Sequence, residues 1–285
     1  MEWFVIILLF ISVIIYSCFH TFPMKTKIFA VLFSMVIAIA SWMIVTRSEE
    51  KWALAFYDGS PSLNINHINT TEQDPEVYKM VKIQEQVLLQ APIISQYPEL
   101  VRGCEVTSLA MLLQFHGYDA DKLILAEEII KDTTPYRVKN GQVFFGHPNE
   151  GFVGDMYSFQ NPGLGVYHKP IVELAETYAP GQVADITGSD FSNVKMYLSQ
   201  GMPVWVIINT TYQKLPDSAF ETWITPKGTI DITYKEHSVL LTGYDNQFVY
   251  FNDPLTGMQN KKAPIDEFIQ SWTQMGSQAV TITLH

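Results

Sequence analysis

Cysteine is nearly absent from this chain: its 285 residues hold two, Cys18 and Cys104. They lie far apart, and Cys18 sits inside an apolar run, so no disulfide framework is available to staple the rest. Basic residues are also scarce, 18 Lys and Arg against 29 Asp and Glu, for a net charge of −11. The first fifty residues balance Lys25, Lys27 and Arg47 against Glu2, Glu49 and Glu50, so the whole excess of negative charge falls on the remainder. A chain without clustered Lys and Arg has no groove that tracks phosphates, which excludes nucleic acid as a partner. The same acidity disfavours docking flat on an anionic surface. Internal repeats and low-complexity tracts are missing too, which sets aside solenoids and fibrous arrays.

What the chain does have begins at its start. Trp3 to Phe19 is apolar apart from Ser12 and Ser17, and Ile28 to Val45 apart from Ser34 and Ser41. Each is near the length that crosses about 30 Å of hydrocarbon. The pattern predicts a transmembrane hairpin over residues 1–50, anchored in membrane lipid. A cleaved signal peptide needs a basic start, which Met1-Glu2 does not supply. Cleavage after Ala38-Ile39-Ala40 would cut the second run in its middle, and bulky Tyr16 does not suit lipoprotein processing at Cys18. The loop between the runs carries Lys25 and Lys27, while the N-terminus carries no basic side chain. The loop is therefore expected in the cytoplasm, with the N-terminus and the large domain outside the cell.

Residues 51–90 read as a tether, rich in turn formers such as Asp58-Gly59-Ser60-Pro61, with a short amphipathic helix expected over Glu76 to Leu89. From Ala91 the composition is globular, and 91–285 is expected to fold as one domain. Helices are predicted at 105–116, 121–131, 170–178, 191–199 and 264–273. Strands are predicted at Val204–Ile208, Thr229–Thr233, His237–Tyr244, Phe248–Asn252 and Ala279–Leu284. Helices first and an antiparallel sheet after them indicate an α+β fold with two lobes.

The chain is organised around Gln96-Tyr97-Pro98-Glu99-Leu100-Val101-Arg102-Gly103-Cys104-Glu105-Val106. Pro98 and Gly103 break regular structure. From Val106 apolar residues recur at Leu109, Ala110 and Leu113, the stripe of a helix with one buried face, stopped by Gly117. Cys104 thus falls at a helix N-terminus, where unpaired N–H groups and the helix dipole favour the nucleophilic thiolate. Alone, it reads first as a small buried apolar residue, as most free cysteines are. A thiol nucleophile needs a base and a group that orients the base. His237 opens a strand, Asp245-Asn246 turns it, and Asp253 ends the returning strand. A hairpin brings those two ends together, and a carboxylate beside the ring fixes its tautomer and supports the imidazolium. Taken singly, His237 is a strand residue and Asp253 a turn former before Pro254. Gln96 supplies a side-chain amide that, with the Cys104 backbone N–H, can hold a developing oxyanion.

These blocks, with His237-Ser238-Val239-Leu240-Leu241-Thr242-Gly243-Tyr244-Asp245, Phe251-Asn252-Asp253-Pro254-Leu255-Thr256-Gly257 and the segment Phe145 to Asp155, resemble the bacteriocin-processing (double-glycine leader) peptidase family. The likeness is greatest to its stand-alone, membrane-anchored bacterial branch, and covers roughly residues 91–285. It implies a papain-like fold, with Cys104 as nucleophile, His237 as base, Asp253 as orienter, Gln96 in the oxyanion hole and a peptide or protein as substrate. No cofactor and no metal are expected. One departure is Glu105, where the transporter-borne members usually have glycine. His116, His147 and His168 with Asp155 lack close metal-ligand spacing and read as surface or loop residues. The aromatics of 135–168, among them Tyr136, Phe144, Phe145, Phe152, Tyr157, Phe159 and Tyr167, are expected to line a substrate cleft. Two other readings use the same cleft. One is an inactive relative that binds peptide or cell-wall material. The other is an amide hydrolase or acyl transferase acting on a non-peptide substrate. Topology makes the first testable prediction: protease added to intact cells or protoplasts degrades residues 52–285. Protection until the membrane is broken would reverse the orientation.

Overall fold

The structure, a computed structural model, describes residues 82–283, and both apolar runs and the tether up to residue 81 lie outside the described residues. Among the described residues no helix is long and apolar enough to cross a membrane. In chain order the elements begin with β1 (Val87–Leu88), α1 (Cys104–Phe115), α2 (Lys122–Glu128), β2 (Lys131–Asp132), β3 (Arg137–Lys139), β4 (Gln142–Phe144) and β5 (Phe152–Val153). Next come α3 (His168–Tyr178), β6 (Val183–Asp185), α4 (Phe191–Ser199), β7 (Val204–Asn209), β8 (Glu221–Thr225) and β9 (Gly228–Ile232). The chain ends through β10 (Glu236–Tyr244), β11 (Phe248–Asp253), β12 (Met258–Pro264), α5 (Ile265–Gln274) and β13 (Ala279–Ile282).

An antiparallel sheet in the order β12-β11-β10-β7-β13-β6 forms the spine. Strand β7 is buried at every residue, as a continuous apolar run must be when both sheet faces are covered. Its alternation separates two cores. Trp205 and Ile207 join Leu109, Leu112 and Leu113 of α1. Val204, Val206 and Ile208 join Phe191 and Leu198 of α4 and Phe268 and Trp272 of α5. A smaller sheet, β3-β4-β8-β9, carries a third cluster around Phe145, Trp223 and Ile232. The mixed helix and sheet architecture is the expected α+β class.

Several expectations need correction. Helix α1 is not buried on one face: Cys104 through Leu113 are all buried, because the sheet covers one side and α2, α3 and the 152–166 segment cover the others. Helix α2 stops at Glu128 rather than 131, where Ile129 turns to extended backbone. Within the described residues, the helix expected over Glu76 to Leu89 is a strand. Val87 and Leu88 pair with Tyr244 and Gly243, and the Leu89 N–H donates to the Thr242 carbonyl at 2.7 Å. The folded domain therefore begins before Ala91, and the end of β10 that runs past β7 offers pairing that overrides helix propensity there. The 135–168 stretch, for which no element was predicted, contains β3, β4 and β5, whose short strands carry too few alternations for a periodicity signal.

Gly243 sits at a bulge in the β10–β11 ladder, and a Cβ there would collide with the Val87 carbonyl. Gly243→Ala should therefore push β1 off the sheet. A loss of roughly 2 kcal/mol is expected, read as a lower urea midpoint together with faster amide exchange at Leu89. An unchanged midpoint would show that β1 contributes nothing to the domain.

Candidate active site

Gly103 precedes α1, and its hydrogen side faces Leu100 so closely that any Cβ would meet the leucine Cβ at 2.5 Å. That tight turn delivers Cys104 as the first helical residue, 7% exposed. In the first turn its backbone N–H has no intrahelical acceptor. Opposite lies β10, where the Ser238 backbone N–H turns toward the Cys104 sulfur.

His237 is next to Ser238, and its Nε2 bonds Oδ1 of Asp253 at 2.8 Å. The β10–β11 hairpin pairs Leu240 with Asn252 and Leu241 with Phe251, which carries the end of β11 back to the start of β10. Asp253 is fully buried and saturated with donors. Lys261 donates to Oδ2 at 2.7 Å, Thr256 at 2.8 Å and Tyr212 at 2.9 Å, while the Leu255 N–H donates to Oδ1 at 3.0 Å. Burial pushes the Asp253 carboxyl up, but His237, Lys261 and Thr256 together hold it far below the usual carboxylate range. Lys261, Tyr212 and Thr256 escaped the sequence reading, since nothing in their spacing ties them to Asp253. They converge through β12 and the loop after β7.

Gln96 has another setting than expected. Its amide nitrogen donates to the carbonyls of Leu100 and Val101, both at 3.1 Å, and its Oε1 is buried without a partner. Both amide hydrogens close the 96–101 loop that leads to Cys104.

The electrostatics also depart from the expectation of a thiolate at the helix N-terminus. Oε2 of Glu105 accepts from the Cys104 thiol at 3.3 Å, and Glu236 lies beside it. Burial and these two carboxylates push the Cys104 thiol well up, while the Ser238 N–H pulls only partly the other way. The first turn's favourable dipole is outweighed because the sulfur and the acidic pair are buried together. Burial likewise pushes Glu105 up to about 7. A usable signal was present in the sequence: each acid is the immediate neighbour of a candidate catalytic residue.

The histidines set aside as metal ligands stay dispersed. His116 lies edge-on to Phe115, the His147 ring accepts the Asn149 N–H, and His168 pairs with Asp185 at 2.8 Å. Asp155 receives the Tyr157 and Ser158 N–H groups. The aromatic segment divides: Phe145 and Phe152 are core, whereas Phe159, 64% exposed, lies against the Arg102 guanidinium. Tyr167, His168, Asn149 and Phe220 line a hollow of about 290 Å³. A second hollow of about 450 Å³ shares Phe220, Asp231 and Gln274 with it.

The arrangement can be set beside known proteins. The Peptidase_C39 like family matches residues 88–280. YvpB of Bacillus subtilis strain 168, an uncharacterized protein, is 52% identical over 185 residues, 65% of this chain and 70% of that one. The crystal structure of a Bacillus anthracis protein provisionally described as a C39-like peptidase is 45% identical, with a TM-score of 0.66, covering 71% of this chain and 99% of the other. Xylellain, a cysteine protease from Xylella fastidiosa, is 14% identical at a TM-score of 0.39, covering 78% and 94% of the two chains.

The buried carboxyl predicts a pH dependence. Folding raises Glu105 from an unfolded value of about 4.3 to about 7, so within that window the folded state binds the extra proton and stability falls as pH rises. Asp253 acts oppositely: its depressed carboxyl adds stability above its unfolded value of about 3.9 that is lost on acidification. Glu236 is pushed up by burial and by Glu105 and acts in the same direction as Glu105, so the urea midpoint should decline from about pH 5 upward in the wild type, and Glu105→Gln should reduce that decline without abolishing it. Equal slopes in the two proteins would remove the buried proton from Glu105.

Proposed function

The chain belongs to the C39-like peptidase family, and on that premise we propose that it is a cysteine peptidase in which Cys104 attacks the peptide carbonyl, His237 carries the proton and Asp253 holds His237 in place. The observation that supports this most directly is the 2.8 Å bond from His237 Nε2 to buried Asp253, on a strand whose next residue turns its N–H to the Cys104 sulfur. With Nε2 committed to Asp253, Nδ1 is the nitrogen that accepts the thiol proton. The sulfur–carbon bond forms as that proton moves, and His237 then returns it to the leaving amine. Water, activated by the same nitrogen, releases the acyl group.

The developing oxyanion is held by the Cys104 backbone N–H in the open first turn of α1. Gln96 is the second donor, trading one of its loop carbonyls for the oxyanion. The substrate is a peptide or protein. It lies along the hollows lined by Asn149, Tyr167, Phe220, Asp231 and Gln274, where Asp217 and Asp231 suit a polar or basic side chain. The enzyme works outside the cell behind its N-terminal helix hairpin. The apolar runs Trp3 to Phe19 and Ile28 to Val45 and the lysines between them support that placement.

Cys104→Ala should abolish cleavage of a peptide library while circular dichroism stays unchanged. Asp253→Asn should keep the hairpin but lower turnover by roughly 10 to 10³, since an amide cannot support the imidazolium. Wild-type turnover in Cys104→Ala would end the peptidase reading. Wild-type turnover in a folded Asp253→Asn would make Asp253 a structural residue alone.

A further inference from the structure

Two acids stand beside the nucleophile with no part in the hydrolysis just described. Glu105 is wholly buried and held at three points. Its carbonyl accepts the Trp205 indole N–H at 3.0 Å, and its Oε1 accepts the Val166 N–H at 2.7 Å. Its Oε2 is left to face the Cys104 thiol at 3.3 Å. Glu236, from the start of β10, places Oε1 in the interior with no hydrogen-bond partner. One atom each from Cys104, Glu105 and Glu236 lies within 4.8 Å of the other two, and although Glu236 is half-buried as a residue, its carboxyl is directed inward. Gly165 closes over the pair: a Cβ there would collide with Glu105 Oε1 and come 2.9 Å from Glu236 Oε2. Among the described residues, no Lys or Arg pairs with either carboxyl.

Two carboxylates buried this closely without a counter-charge cannot both ionise, so the pair retains a proton. Its surroundings suit a proton better than a cation, because the Val166 and Ser238 N–H groups point their positive ends into the cluster. The other titratable groups facing it are Cys104 on α1 and Tyr167 ahead of α3; His237, the neighbour of Glu236 on β10, turns its ring to Asp253. Burial and both acids push Tyr167 up as well.

We infer that Glu105 and Glu236 are positioning residues for Cys104: sharing one proton, they keep the nucleophile a neutral thiol with its hydrogen directed at Glu105 until substrate is engaged. This rests on Cys104 being the nucleophile. It follows that the S–H bond breaks during the attack itself, as the S–C bond forms and the proton passes to His237, and that no preformed thiolate–imidazolium pair waits in the resting enzyme. A negative cluster around the sulfur also discriminates by charge, slowing anionic reagents more than neutral ones.

The experiment measures alkylation of Cys104 in the full chain against pH, with chelator present. Mass spectrometry separates the Cys104 peptide from Cys18. In the wild type, iodoacetamide labelling should reach half its maximum rate above neutral pH. Glu105→Gln and Glu236→Gln should each lower that midpoint by about one unit, about tenfold faster labelling at a fixed pH below it. The preference for neutral iodoacetamide over anionic iodoacetate should shrink in both variants. Glutamine keeps an acceptor for the Val166 N–H, and Glu236→Gln decides the question if Glu105→Gln does not fold. A wild-type midpoint below neutral, midpoints unmoved in the folded variants, or a wild-type midpoint that moves when chelator is replaced by Zn²⁺ because a metal holds the cluster, would overturn the inference. If the peptidase reading alone fails, the wild type cleaves no peptide while the alkylation midpoints still shift.

Discussion

The buried carboxylate of Asp253 is the constraint on which the rest of the site depends. Side-chain donors from three other segments, His237 on β10, Lys261 on β12 and Tyr212 after β7, meet on its two oxygens, and Thr256 joins them from the following turn. A buried carboxylate is costly unless its lone pairs are filled, and here a cation and hydroxyl donors fill them. Lys261 also lies 4.6 Å from the Tyr212 ring centroid. The pairing of β10 with β11 and of β11 with β12 is thus tied to the orientation of one imidazole ring. A register slip that strands Asp253 would carry an electrostatic cost as well as a packing cost.

The opposite half of the site is set by contrary demands. Helix α1 presents Cys104 with an open first turn, which favours negative charge, yet it also carries Glu105 inward at the next position. Strand β10 does likewise, carrying Glu236 beside His237. Each catalytic element therefore delivers one reactive residue and one acid in tandem, and the two acids meet under Gly165. The balance falls on the side of burial and like charge because no Lys or Arg among the described residues pairs with either acid, and Lys261 is committed to Asp253.

The helices and the principal hairpin were legible in the sequence because their signals are local. The stripe from Val106 to Leu113, the apolar run of β7 and the Asp245-Asn246 turn each declare an element without reference to distant residues, and the hairpin alone brings His237 to Asp253. What was not legible depends on partners far along the chain. Val87 and Leu88 become strand because β10 offers an edge. The polar side of α1 is buried because sheet, helices and the 152–166 segment surround it. The amide hydrogens of Gln96 are drawn to two carbonyls of their own loop, which spacing cannot reveal. Glu105 and Glu236 lie 131 positions apart, and only the fold makes them neighbours.

The route by which the chain joins the domain has a mechanical consequence. A pull on the segment ahead of residue 87 acts first on the bonds between Gln84 and Ser199 and on the two-residue ladder of β1 against β10. Behind them stands a clamp: Asn252 grips the carbonyls of Ala91 and Pro92 at 3.1 and 2.8 Å, and Gln259 grips Ala91 again at 2.9 Å. Tension is arrested there, a few residues short of Gln96, by the strand that ends in Asp253. The joint therefore behaves as a fuse, in which β1 can peel away under load while the loop leading to Cys104 stays at rest.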